Sequence, residues 1–260
     1  IENKDFESTQ QISKTINMLD SNLLIQQSKI WIDESNYKKF SQIFSCNNEE
    51  DILAEFFFLI SNFVGADGDF KKLSFYSNIS NYLNPKFYFN LTHLISSYIE
   101  KKNYKKTKKI LKKFNKGDEI YYWYKLKKIA QIIDDEENSK KSLLYIEKKF
   151  NEYSNPSIKI IYDMANIYKR SKEFEKSIKY YSLLLNKLNE NSDEYADILY
   201  RRGSSYERLK DYKSSDKDLL KSLSIKPNEP YVLNYLGYGW LERGYKIQDA
   251  IGMLDKAYNQ

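Results

Sequence analysis

The sequence predicts an all-α chain built from about seven helix–turn–helix repeats. Only four prolines and eight glycines occur in 260 residues, so the turn-forming residues that β-hairpins and β-sandwiches need are scarce. Anchor residues, mostly small, also recur at steps of 33 to 38 residues. Most have an apolar residue four positions before them and an aromatic or aliphatic residue three positions after them. Self-similarity at such a period is the signature of a repeat array.

Each anchor marks the first helix of one predicted repeat, and in most repeats a polar turn and a second amphipathic helix follow. The first four repeats, residues 1–154, are degenerate and depend mainly on spacing and apolar pattern, whereas residues 155–260 hold the clear repeats. In chain order the anchors are Ser28, Ser61, Ile95, Ala130, Ala165, Gly203 and Gly237.

The last repeat carries the most specific motif. Leu236 and Gly237 form a Leu-Gly pair, Trp240 supplies the aromatic position, and Ala250 and Ala257 supply two small positions in the second helix. With this motif and a period near 34, the chain resembles the tetratricopeptide repeat family. The amino-acid sequence of residues 232–258 is most similar to that of the alphaproteobacterial members. That resemblance implies a bacterial protein, in the cytoplasm or the periplasm.

The resemblance also implies an architecture. The hairpins are expected to stack into one right-handed superhelical solenoid over residues 1–260, with first helices on the concave surface. Gly237 is expected to let the two helices of its hairpin approach closely, which offsets its cost of about 1 kcal/mol in a helix. Gly244 is expected to end the first helix in a left-handed conformation.

Two features concern the ends and the surroundings of the array. The second helix of the last repeat has an apolar face with Ile251, Leu254 and Tyr258, which a following element normally covers. We therefore expect the array to continue beyond residue 260, or another chain to cover this face by self-association. The longest apolar run, residues 52–64, is too short and too polar to span a membrane.

Nothing in the sequence predicts catalysis, a cofactor or a metal site. Motifs for cradling phosphate, for binding zinc through paired histidines and for a serine nucleophile are all missing. With one cysteine and one histidine, a zinc cluster is not expected, and Cys46 is expected to be a small apolar residue late in a helix. The acidic stretches 65–69 and 134–138 are interpreted as turns between helices.

Positive charge is concentrated in residues 101–149, although the whole chain carries only +6. The segment 101–114 places four lysines on one helical stripe, opposite an apolar face. A solvated face is the simpler interpretation, and a surface for nucleic acid or anionic lipid is the alternative. The lysines of this stripe are Lys105, Lys108, Lys109 and Lys112.

The resemblance further implies a peptide groove on the first helices, at the positions three before and one after each anchor. Amide and tyrosine side chains there suit a peptide backbone. The residues do not match the family's two-carboxylate clamp, so an acidic chaperone tail is not expected. We therefore predict a non-catalytic scaffold that binds another protein or peptide, with packing between repeats as the competing interpretation. The predicted residues at these positions are Tyr162, Asn166, Tyr200, Ser204, Asn234 and Tyr238, and the residues that follow them in the last turns of the first helices are Lys169, Arg170 and Arg208.

Overall fold

The computed structural model describes residues 5–259, which form fifteen α-helices and no β-strand. Fourteen of these helices form the seven predicted pairs, and the additional one, α1, precedes the first pair. The helices are α1 (Phe6–Thr15), α2 (Leu23–Asp33), α3 (Lys38–Ile43), α4 (Glu49–Ala66), α5 (Phe70–Leu83), α6 (Phe89–Glu100), α7 (Tyr104–Leu111), α8 (Glu119–Glu136), α9 (Ser139–Phe150), α10 (Ile158–Arg170), α11 (Phe174–Leu185), α12 (Asp193–Arg208), α13 (Tyr212–Ile225), α14 (Pro230–Glu242) and α15 (Ile247–Tyr258).

The chain divides into two compact units, residues 1–146 and 147–260, which we call unit 1 and unit 2. The division falls within α9, close to the predicted change from degenerate to clear repeats at residue 155. The prediction of one continuous superhelix over the whole chain stays a prediction.

One hydrophobic core cluster of unit 1 lies where α6, α7 and α8 meet. Leu91, Ile95, Leu111, Phe114 and Tyr121 are almost completely buried in this cluster. The predicted first repeat departs from regular stacking, because α2 makes its main contacts with α1 and α8 rather than with α4. The second helix of that repeat, α3, is also only six residues long.

Unit 2 contains the hairpins α10–α11, α12–α13 and α14–α15. Trp240 and Leu236 lie in the core of the last hairpin, beside the anchor Gly237. A Cβ atom added to Gly237 would lie 3.0 Å from the backbone oxygen of Ala250, which confirms that this glycine allows a close helix–helix approach. Gly244 has φ +62°, so the predicted left-handed end of α14 is also confirmed.

Two local expectations need correction. Cys46 is exposed in the turn between α3 and α4, because α3 ends at Ile43 and cannot carry it as a late helical residue. The acidic stretch 134–138 is not all turn, since α8 continues through Glu136. Its last turn is held by contacts with α7: the Tyr104 hydroxyl donates to Asp135 at 3.1 Å, and Lys108 pairs with Glu136 at 2.8 Å.

The other expected turn lies where it was predicted, with its first two residues completing α4. Asp69 caps α5 by accepting hydrogen bonds from the backbone N–H groups of Lys71 and Lys72. No group of three metal-ligating side chains occurs in residues 5–259, and no helix in that range is long and apolar enough to cross a bilayer.

Candidate binding surface

The first helices of unit 2, α10, α12 and α14, lie side by side and are joined by contacts between residues 35 positions apart. The Nζ of Lys169 donates a hydrogen bond to the Oγ of Ser204, and Arg201 Nη1 lies 3.5 Å from Asn166 Oδ1. These contacts join neighbouring turns of α10 and α12, so the side chains of the two first helices form one continuous surface. We call it the first-helix surface.

Tyrosine rings extend this surface from α12 to α14. The rings of Tyr200 and Tyr235 meet edge to face with their centroids 5.8 Å apart. The Tyr235 hydroxyl also donates a hydrogen bond to Glu207 at 3.0 Å, and burial raises the pKa of Tyr235 above its usual range. These contacts hold the two tyrosine rings in place at one side of the surface, where Tyr200 remains partly exposed.

Tyr162 lies beneath the surface rather than on it. Its side chain is buried, with the guanidinium of Arg201 5.2 Å and the ammonium of Lys159 5.1 Å from its ring centroid. Asn166 is partly exposed, and its Oδ1 accepts a hydrogen bond from the Tyr181 hydroxyl at 2.7 Å. The Nδ2 of Asn166 has no hydrogen-bond partner among the described residues, so it retains donors for a ligand carbonyl.

Three cations meet at the centre of the surface. Burial, together with the nearby charges of Arg201 and Arg208, lowers the pKa of Lys169 to about 8. The Nε of Arg201 is buried and has no hydrogen-bond partner within residues 5–259. A cation removed from water without a counter-charge is unfavourable, so this cluster favours an anionic ligand group.

A neighbouring carboxylate only partly offsets this charge. Glu207 lies 3.9 Å from the Nε of Arg208 and accepts the hydrogen bond from Tyr235. The next arginine along α12 shows the contrast, since Arg202 is fully paired with Asp218 through two bonds of 2.7 and 2.8 Å. Arg202 is therefore a packing residue, whereas Arg201 forms no ion pair among the described residues and its Nε has no hydrogen-bond partner there.

The remaining predicted residues are placed farther out. Arg170 is exposed at the end of α10, and Asn234 and Tyr238 are exposed on α14. No hydrogen bond or ring contact joins Asn234 or Tyr238 to the cation cluster in the part of the chain that the structure describes. Arg201 was missed by the sequence analysis, although its spacing from Ser204 and Arg208 by three and seven residues places it on their face of the helix.

The predicted lysine stripe lies on α7 and its C-cap residue Lys112 in unit 1. All four lysines are exposed, and Thr107, Leu111 and Phe114 on the opposite side are buried. The acidic end of α8 lies beside the stripe, where Lys108 pairs with Glu136. This neighbouring negative charge weakens the case for a phosphate-binding surface.

The apolar face predicted at the last helix is largely exposed. Tyr258 is 91% exposed and Ile251 is 42% exposed, while Leu254 packs beside Gly237. Its covering by a further element or another chain stays a prediction.

Comparisons with known proteins identify the repeats. The tetratricopeptide repeat family matches residues 158–186 and 196–229, which contain α10–α11 and α12–α13. No curated protein matches this sequence.

Solved structures of tetratricopeptide repeat proteins share the fold. BtubC (BKLC) from P. vanneervenii is 18% identical with a TM-score of 0.56, over 74% of this chain and 88% of its own. A MamA RS-1 double mutant is 13% identical with a TM-score of 0.50, over 67% of this chain and 92% of its own. The APC/C hetero-tetramer Cut9-Hcn1 is 14% identical with a TM-score of 0.53, over 97% of this chain and 49% of the matched chain.

These matches confirm the predicted all-α repeat fold. At such identities the solved structures show the fold alone. The bacterial origin and the compartment stay predictions.

Proposed function

We propose that this tetratricopeptide repeat protein binds an extended, carboxylate-bearing segment of another protein on the first-helix surface of unit 2. The observation that carries the proposal is the cluster of Lys169, Arg201 and Arg208, in which Arg201 Nε is buried without a partner. A ligand carboxylate would supply the missing counter-charge. Arg is suited to this role because its planar fork matches a carboxylate in two hydrogen bonds.

The surrounding residues have separate roles in this proposal. Asn166 donates through Nδ2 to a backbone carbonyl of the segment, and Tyr200 provides flat area beside it. Ser204 accepts a hydrogen bond from Lys169 and donates one to the backbone oxygen of Arg201 at 2.8 Å, so it positions the lysine. The ring of Tyr162 packs against the guanidinium of Arg201 and holds it in position. None of these roles requires chemistry on the ligand, in line with the non-catalytic use of the repeat.

The proposal is tested by an array of peptides in which acidic residues are varied against their amides. We expect the protein to select peptides with at least one carboxylate, and Arg201→Gln to lose that selection. Lys213→Gln is the matched control, because Lys213 is exposed on the second helix α13. Equal binding of acidic and amidated peptides by the wild-type protein would reject the proposal.

The lysine stripe of α7 remains the alternative binding surface, for nucleic acid or an anionic surface. Phosphate binding through about four lysines weakens steeply as salt rises, because counterions are released. Titration of a fluorescent oligonucleotide at low and physiological salt, with Lys105, Lys109 and Lys112 changed to Gln, tests it. A salt-independent or absent signal leaves the first-helix surface as the binding site.

A further inference from the structure

An apolar stripe runs along the exposed side of α4 in unit 1. Its four large side chains are between 45% and 73% exposed, although such residues are normally buried. Successive members are separated by four, three and four residues, which is the spacing of a coiled-coil seam. The stripe consists of Ile52, Phe56, Leu59 and Phe63, and we call it the α4 seam.

The position of α4 within unit 1 explains why the seam is open. The opposite side of the helix is filled, since Ala54, Phe58 and Ser61 are buried. Helix α4 packs mainly on α5 and touches α6, whereas α2 packs on α1 and α8. The helix is therefore an edge of unit 1, and its seam has the pattern of a helix that pairs with another helix.

We propose that a second copy of this chain covers the seam through antiparallel pairing of the two α4 helices. The spacing of the seam reads the same in both directions. A two-fold axis between Phe56 and Leu59 therefore places Phe56 opposite Leu59 of the other copy, and Ile52 opposite Phe63. Such a self-complementary patch is what an isologous dimer contact requires. This contact is independent of the ligand surface in unit 2.

Charge selects the antiparallel arrangement. The first turn of α4 contains Glu49, Glu50 and Asp51, so parallel pairing would bring six carboxylates together. Antiparallel pairing instead places Glu49 and Glu50 of one copy beside the C-terminal end of the other copy's α4, where that copy's α5 begins. Lys71 is exposed there and has no ion pair within the described residues, whereas Lys72 already pairs with Asp69 at 3.0 Å.

The number of side chains in the seam sets the expected affinity of the dimer. Four side chains from each copy form a contact at the small end of specific interfaces, below about 1,200 Å² in total. Interfaces of this size give weak and reversible complexes, so we expect a dimer with a dissociation constant of roughly 1–100 μM.

The experiment is sedimentation velocity over a series of protein concentrations at low salt. The wild-type protein should shift from monomer to dimer, and Phe56→Glu should weaken the dimer by at least about 10-fold. Tyr82→Glu is the control, because Tyr82 is 83% exposed on α5 and outside the seam. Unchanged circular-dichroism spectra establish that both variants fold, since both positions are exposed.

A charge reversal tests the antiparallel register. Changing both Glu49 and Glu50 to Lys should weaken the dimer, and adding Lys71→Glu should restore it. The inference is overturned by a wild-type protein that stays monomeric throughout the series, or by a dimer that Phe56→Glu leaves intact. Failure of Lys71→Glu to restore the dimer overturns the proposed register. A monomer that instead captures a basic amphipathic peptide on the seam also overturns it, because the occupant is then another protein.

Discussion

Lys169 of α10 donates a hydrogen bond to Ser204, which lies 35 positions further along the chain on α12, the first helix of the next repeat. This contact sets a lysine from α10 against α12, where Arg201 and Arg208 already lie. The lowered pKa of Lys169, about 8, follows from its burial and from these two charges. The same contact that aligns two repeats therefore concentrates positive charge on the first-helix surface.

Removing this lysine should stabilise the protein. Lys169→Met keeps the length and packing of the side chain but removes a charge that has no carboxylate partner, so the free energy of unfolding at pH 7 should rise by about 1–3 kcal/mol. The effect has a definite pH dependence. Between pH 8 and 10.5 the unfolded state binds more protons than the folded state, so the wild-type protein gains stability as pH rises. Urea titrations at pH 7 and pH 10 should show the difference between the two proteins shrinking, and a constant difference would contradict the assignment.

Asn166→Asp should have opposite effects on stability and on binding. The aspartate keeps the acceptor for Tyr181 and places a carboxylate close to Arg201. It supplies from within the protein the charge that the ligand supplies in our proposal. Thermal unfolding should therefore move to higher temperature, while affinity for acidic peptides should fall by about 1–3 kcal/mol. Asn166→Ala separates the effect of the added charge from the effect of the lost hydrogen bond, because it removes the Nδ2 donor without adding charge. A gain in peptide affinity for Asn166→Asp would show that the cluster is not the carboxylate site.

The two glycines of α14 should respond differently to the same change. A Cβ atom at Gly237 would lie 3.0 Å from the backbone oxygen of Ala250, whereas a Cβ atom at Gly239 meets nothing within 4 Å. Gly239→Ala should stabilise the protein by about 0.5–1 kcal/mol through helix propensity. Gly237→Ala should lower stability by about 1 kcal/mol, because overpacking at about 1–3 kcal/mol exceeds that gain. Chemical denaturation of both variants measures the difference, and equal values would mean that the helices do not approach closely here.

Acid should destabilise unit 1 through one partly buried histidine. His93 stacks on Phe58 with ring centroids 4.8 Å apart, and its Nδ1 lies 2.8 Å from the Oγ of Ser61. Burial lowers the pKa of His93 to about 4. Between pH 6.5 and 4 the unfolded state binds the extra proton, so stability is complete above pH 6.5 and falls by about 1–3 kcal/mol as pH drops to 4.

His93→Phe tests this because it keeps an aromatic ring and removes the titrating group. Its stability should change less between pH 6.5 and 4 than that of the wild-type protein, while stability at pH 7 falls by about 1 kcal/mol through the lost hydrogen bond. Identical pH profiles would assign the acid sensitivity to other groups.

Periodicity in the sequence predicted the seven helix pairs because anchors such as Gly237 and Ala165 repeat a packing requirement at every turn of the array. It could not predict that α2 packs on α8, because the apolar pattern of a helix shows which face is buried but does not identify the helix that packs against that face. Lys169 and Arg208 were found because they follow the predicted groove positions in the last turns of their first helices. Arg201 was missed because its importance depends on the missing counter-charge around it, which is a property of the folded surface.

The central claim is that Arg201 meets a carboxylate of the bound segment, and a double-mutant cycle measures this contact directly. Isothermal titration would compare the wild-type protein and Arg201→Gln against a selected acidic peptide and against the same peptide with one carboxylate changed to an amide. We predict a coupling energy of about 1.5–3 kcal/mol for one carboxylate of the peptide. Additive effects at every acidic position, with no coupling to Arg201, would contradict the account.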